Sequence, residues 1–200
     1  MDFMSTTEPP STLALGANSL IHSLHQSYRQ LMIVRVDLLM REEYQIMTSI
    51  FDIHEYRARL WSNRRSKPSI FEHCLGWIWG LEWTKECGYH LHCLFAFNGR
   101  EVQQDIWYGN QIGNYWINVI TKGKGCYRNC NQYKDSYHHL GIGKVHINDQ
   151  EKLANLLQYV IPYLAKDDQL IRQAIHSDGL ALGRNVQHIR TFGYSNNLSL

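Results

Sequence analysis

Apolar residues recur at helical spacing through Leu13, Ala17, Leu20, Ile21, Leu24 and Leu31, which predicts a helix over 13–31. The period then shortens to two. Val34, Val36 and Leu38 alternate with Arg35 and Asp37, so 31–40 reads as a strand. A helical stripe returns at Tyr44, Met47, Ile50, Phe51 and His54 and predicts a helix over 41–60, followed by a basic loop over 63–69 closed by Pro68. Two runs of strand formers come next: 75–84, with Trp77, Trp79 and Trp83, and 89–97. Lys85-Glu86-Cys87-Gly88 between them reads as a hairpin turn, and Asn98-Gly99 ends the second run. Beyond it the pattern predicts a helix over 101–120 with Trp107 and Trp116 inward. A loop-rich stretch over 121–143, a short strand over 144–147 and a helix over 149–166 follow. The tail 176–200 is rich in Gly and Asn and promises little structure; residues 1–12, with Pro9-Pro10 and little to bury, read as a flexible leader. The order predicts an α+β domain over 13–175: a central, largely antiparallel sheet of about five strands with helices packed on it.

Composition narrows the class. Two hundred residues make about one domain, and 44% hydrophobic with 19% charged residues excludes a disordered or low-complexity chain. No apolar run is long enough to span a bilayer, and the two acids and absent bases of Met1–Pro10 do not fit a secretory signal. Five cysteines, an odd number at low density, suit reduced thiols in a cytoplasm. A net charge of +2 gives by itself little support to nucleic-acid binding.

The stretch around the hairpin carries chemistry. In a strand His90 and His92 project to one face, and a turn centred on Glu86 pairs Thr84 with Gly88, Trp83 with Tyr89 and Glu82 with His90. Directly opposed residues share a face, so Glu82 joins the two imidazoles. Two histidines and one carboxylate hold a divalent cation and leave positions open for catalysis. Asp37 is either a group that orients such a site or a strand-end residue.

On a wheel from Leu153, the apolar stripe is Leu156, Leu157, Val160, Ile161 and Leu164, while Tyr159, Tyr163 and Lys166 share another sector. A lysine three residues after a tyrosine favours the phenolate, whose ordinary pKa of about 10 makes the phenol a poor nucleophile at neutral pH. Pro162 is expected to kink or restart the helix.

Together and in this order, the two stretches resemble the HUH endonucleases, named for two histidines around a hydrophobic residue, here His90-Leu91-His92. The Tyr-x-x-Lys helix of that superfamily is matched by Tyr163 and Lys166, its acidic ligand by Glu82, and the paired tyrosines of some phage initiators by Tyr159 and Tyr163. The chain is similar, more closely, to the replication initiators of filamentous phages from about residue 31 through Lys166. The strand Val34 to Leu38 and a terminal Phe-Gly-x-Ser at Phe192 to Ser195 add to the likeness. The resemblance implies an HUH-type, ferredoxin-like palm and a rolling-circle initiator. Mg²⁺ or Mn²⁺ would sit on Glu82, His90 and His92. Tyr163 would form a 5′-phosphotyrosine, Tyr159 would make a second cleavage, and Lys166 would position the nucleophile. It further implies single-stranded or cruciform origin DNA, a host helicase and polymerase as partners, and the cytoplasm of a bacterial host.

Two acid-poor segments offer DNA contacts: Arg57, Arg59, Arg64, Arg65 and Lys67 around Trp61, and Lys122, Lys124, Arg128 and Lys134 among Tyr127 and Tyr133. The near-neutral total therefore conceals local basic runs. Cys126, Cys130, His138 and His139 fit no standard zinc spacing and read as free loop residues. Alternatives remain: a transposase- or relaxase-like nickase, a DNA-binding regulator without catalysis, or an iron oxygenase with two histidines and one carboxylate.

Overall fold

The computed structural model describes residues 12–166 and 169–196. Most of the leader, 1–11, lies outside the described residues. The elements run α1 (Thr12–Ser27), β1 (Gln30–Met40), α2 (Glu42–Gln45), α3 (Ile50–Asn63), α4 (Pro68–Phe71), β2 (Cys74–Thr84) and β3 (Gly88–Asn98). There follow α5 (Asp105–Tyr115), β4 (Gly125–Asn129), β5 (Gly143–His146), α6 (Gln150–Asn155), α7 (Ile161–Leu164), α8 (Gln169–Leu182) and β6 (Phe192–Tyr194). The architecture is α+β, with an open, antiparallel, six-stranded sheet in the order β4-β1-β3-β2-β6 and helices packed on it. The sixth strand arises because β1 is long enough to hold two partners on one edge: β5 pairs its first half and β4 its second.

Alternation along the strands sorts the core into two layers. Met32, Val34, Val36 and Leu38 of β1 meet Leu91, Cys93, Phe95 and Phe97 of β3 on one face, covered by α3, α4, α5 and α8. Leu31, Ile33, Ile78, Leu94 and Ala96 line the other face under α1, α6 and α7. The site described below lies on this second face.

Several boundaries differ from the periodic pattern. The helix expected over 13–31 stops at Ser27, and Leu31 belongs to β1. The expected helix 41–60 is two helices. Ser49 caps α3 with its side chain accepting from the Asp52 N–H, while Asp52 accepts from the Ser49 N–H at 2.8 Å; this capping box starts a new helix and leaves Met47 69% exposed. Trp107, expected inward, is 44% exposed on α5, whereas Trp116 is fully buried in the π turn that follows, its indole donating to the Leu39 carbonyl at 2.9 Å. The loop expected over 121–143 contains β4. The tail is better ordered than its composition suggests: α8 reaches Leu182, and β6 pairs Ile78 with Tyr194 and Gly80 with Phe192. Among the described residues no helix is long and apolar enough to cross a membrane.

Candidate metal centre and tyrosine

The hairpin register is the expected one: Thr84 pairs with Gly88, Trp83 with Tyr89 and Glu82 with His90. Glu82, His90 and His92 consequently present ligand atoms that all lie within 4.8 Å of one another. Their hydrogen bonds set the tautomers. The His90 Nδ1–H donates to the Gly88 carbonyl at 3.0 Å, which leaves the Nε2 lone pair facing Glu82 Oε2 at 3.2 Å. His92 Nδ1 meets Asp37 Oδ1 at 2.7 Å, and its Nε2 meets the same Glu82 oxygen at 2.7 Å. A carboxylate oxygen and two imidazole lone pairs need a cation between them, either a proton or a metal ion. The donor set of two nitrogens and one carboxylate therefore fits a divalent cation, with Asp37 orienting His92 from behind. Asp37 lies inside β1 rather than at its end, hydrogen-bonded to His92.

Electrostatics follow from this packing. Hydrogen bonding to His92 holds Glu82 at a pKa of about 2, against a smaller opposing effect of burial. Burial works to raise Asp37, but the hydrogen bond and charge of His92, with Arg35, bring it down to about 2. Burial disfavours charge on His92, yet its bonds to Asp37 and Glu82 raise its pKa above the ordinary 6.5. Asp37 is also approached by the Cys130 thiol at 3.4 Å and by Arg35 Nε at 3.5 Å.

Tyr163 reaches this group from α7. Its ring packs edge-on against His92 at 5.2 Å between centroids, and the Arg35 guanidinium lies 4.8 Å from the ring centre. Burial raises the phenol pKa, as do the Glu82 and Asp37 carboxylates, while Arg35 opposes them. Two features of the sequence bring α7 here. Gly80, the β2 partner of His92, has no side chain, and a Cβ built there would overlap the Leu164 carbonyl. Pro162 produces no break; the extra residue is absorbed just before it in a π turn over Leu156–Val160, where the Ile161 N–H donates to the Leu156 carbonyl. The expected kink is thus a continuous helix of altered pitch, because the missing Pro162 N–H falls where the ladder has already been rewound.

The remaining expected residues separate. Lys166 lines a small cavity with Glu82, His92 and Tyr163. Tyr159 stacks on His139 at 3.7 Å with the rings 3° from parallel. These two rings, with Arg35, Tyr137, His138 and Tyr163, line a cavity of about 260 Å³. Arg128 pairs with Asp37 across β4 and β1 and so shares the site's face. Lys122 and Lys124 are exposed in the turn before β4, and Lys134 is bound to Asp105 at 2.7 Å. Arg57, Arg59 and Arg64 lie on or just after α3, on the opposite face of the sheet. Arg59 donates to Glu55 at 2.6 Å, Arg57 covers the Trp79 ring at 4.0 Å and Arg64 covers Trp77 at 3.8 Å. Arg65 is exposed and Lys67 half-buried in the loop that follows. Cys126 and Cys130 are free thiols, and among the described residues they form no metal cluster with His138 and His139.

Sequence reasoning missed Arg35 and His139. Arg35 carried a signal, since it shares with Asp37 one face of a strand otherwise apolar; His139 carried none, because its stacking on Tyr159 is purely tertiary.

From Arg35 to Lys166 the whole arrangement falls within residues 12–180, the stretch that matches the family described as the YagK/YfjJ C-terminal domain. No curated protein and no solved structure matches the chain. With more than four-fifths of its length accounted for by that one match, the chain belongs to the YagK/YfjJ C-terminal domain family.

Proposed function

We propose that the protein is a metal-dependent DNA strand transferase of the HUH type, nicking and resealing one strand through Tyr163 as a rolling-circle replication initiator does. The single observation that carries this reading is the edge-on packing of the Tyr163 ring against His92, a member of the Glu82, His90 and His92 group. These three residues would hold Mg²⁺ or Mn²⁺, which when bound polarises a phosphodiester and stabilises the charge of in-line attack. The phenolic oxygen of Tyr163 attacks phosphorus, the bond to the 3′ oxygen breaks, and the phenolic proton ends on the departing 3′-OH. The 5′-phosphotyrosine keeps the phosphoester energy, so the same 3′-OH can reverse the step. Arg35, over the Tyr163 ring, favours the phenolate and can receive a phosphate oxygen. Lys166, in the adjoining small cavity, supplies a further positive charge. Tyr159, engaged with His139, is suited to packing against the strand rather than to the first attack. An origin DNA substrate, a host helicase and polymerase, and a bacterial cytoplasm complete this reading.

The test is incubation of the full chain with a library of single-stranded oligonucleotides and Mn²⁺, followed by denaturing gel analysis for a covalent DNA–protein adduct. Adduct is expected for wild type and for Tyr159→Phe, and none for Tyr163→Phe. Undiminished adduct with Tyr163→Phe overturns the assignment.

A further inference from the structure

The basic run of α3 does not reach the Tyr163 face, and the structure gives it another setting. Trp77 and Trp79 alternate with Glu82 along β2 and point to the opposite side of the sheet. There, where the three-residue edge strand β6 meets β2, a cleft of about 770 Å³ opens between α3 and the chain segment around β6. Arg57, Trp61, Trp77, Trp79, Arg172 and Arg190 are among its lining residues, and no carboxylate lines it among the described residues. Two N–H groups here, Arg57 Nε and Trp61 Nε1, are buried without a hydrogen-bond acceptor. A buried donor left without an acceptor is unfavourable, so a ligand that supplies one is favoured. His54 ties the two walls together: its Nε2 lies 3.1 Å from the Arg190 carbonyl and its Nδ1 3.4 Å from an Arg57 nitrogen. For the carbonyl to accept, Nε2 carries the proton, and Nδ1 then accepts from Arg57. This arrangement needs a neutral ring, and burial with the nearby Arg57 charge holds the His54 pKa down at about 4.

A cleft whose charged lining residues are all arginines, Arg57, Arg172 and Arg190, with indole rings in its wall, selects a polyanion. We infer that this cleft is a second DNA site, holding the phosphodiester backbone of single-stranded DNA on Arg57 and Arg190 against the Trp61 and Trp77 wall, on the sheet face opposite Tyr163. The choice of DNA among polyanions rests on the proposed function; the cleft itself does not.

The experiment is fluorescence anisotropy of a labelled single-stranded DNA of about 20 nucleotides with the full chain in EDTA, across a salt series. The EDTA removes the metal, so binding is read without nicking. Arg57→Gln combined with Arg190→Gln is expected to weaken binding roughly tenfold or more. It should also flatten the log–log salt dependence by about 1.4, two phosphate contacts at about 0.7 each for single strands. The charge-matched control Arg100→Gln with Lys144→Gln, both exposed residues elsewhere, is expected to shift affinity less than twofold. Arg190→Gln alone changes an exposed side chain and keeps the test valid if Arg57→Gln fails to fold. Wild-type affinity in the cleft variants, equal losses in cleft and control variants, or tighter binding of the matched RNA overturns the inference. Loss of binding in the cleft variants of a chain that forms no tyrosine adduct leaves this site standing and removes the nickase reading. Adduct formation without any effect of the cleft variants does the reverse.

Discussion

Asp37 decides which nitrogen of His92 is available. By holding Nδ1 at 2.7 Å it directs Nε2 toward Glu82, and its own charge makes His92 more basic. Asp37→Asn removes that charge and is expected to lower Mn²⁺ affinity by roughly 10–100-fold, read by titration calorimetry. The pH dependence has a definite sign. Asp37 and Glu82 lie at about 2, below their ordinary values of 3.8 and 4.5, so the stability they contribute is present above those values and disappears as pH falls toward 2. His92 is raised, so its contribution is complete below 6.5 and disappears as pH climbs through the raised value. Metal-free protein should therefore melt at its highest temperature between about pH 4.5 and 6.5. Glu82→Gln should flatten the acid limb in a series of calorimetric scans. At this scale the sequence was informative where a local rule applied. Alternation and a short turn fix Glu82 opposite His90, whereas the placing of Arg35 over Tyr163 depends on how α7 crosses the sheet, which no local spacing encodes.

Gly80 belongs to the scale of elements. It lets the backbone of α7 rest directly on β2 at the strand position that pairs with His92, and so sets the distance from Tyr163 to the Glu82, His90 and His92 group. Gly80→Ala is expected to push α7 outward. The adduct yield should fall at least tenfold while Mn²⁺ affinity changes less than about threefold, because all three ligands lie on the β2–β3 hairpin. An equal fall in both would show that the hairpin, and not the helix, has moved. The elements themselves were legible in proportion to their length and regularity. β2 and β3, eleven residues each, were plain from composition, and α6 with α7 from the apolar stripe. The break between α2 and α3 was hidden because the stripe runs across it, and only the Ser49–Asp52 capping box reveals it. β4 and β6 were hidden because strands of five and three residues owe their existence to the edges of β1 and β2 that they cover, a tertiary cause.

For the molecule as a whole, a cation held by the Glu82, His90 and His92 group would link binding to folding. Glu82, His90 and His92 converge only when the hairpin is formed, and Asp37 supports them only when β1 is paired with β3, so a cation bound by those three would bind the folded chain and not the unfolded one. Such a ligand stabilises by about 2.7 kcal/mol at a hundred times its dissociation constant. Mn²⁺ should accordingly raise the unfolding temperature by several degrees at pH 7.5. The rise should be lost in Glu82→Gln and retained in Tyr163→Phe, which removes a hydroxyl outside the Glu82, His90 and His92 group. The rise must also shrink as pH falls, because a proton on His92 Nε2 occupies the position the cation needs. A thermal shift independent of pH between 6 and 8, or one undiminished in Glu82→Gln, would locate the cation elsewhere. That result would separate the geometry of the three side chains from the chemistry proposed for them, since an adduct formed without metal on these residues would need another source for the charge stabilisation.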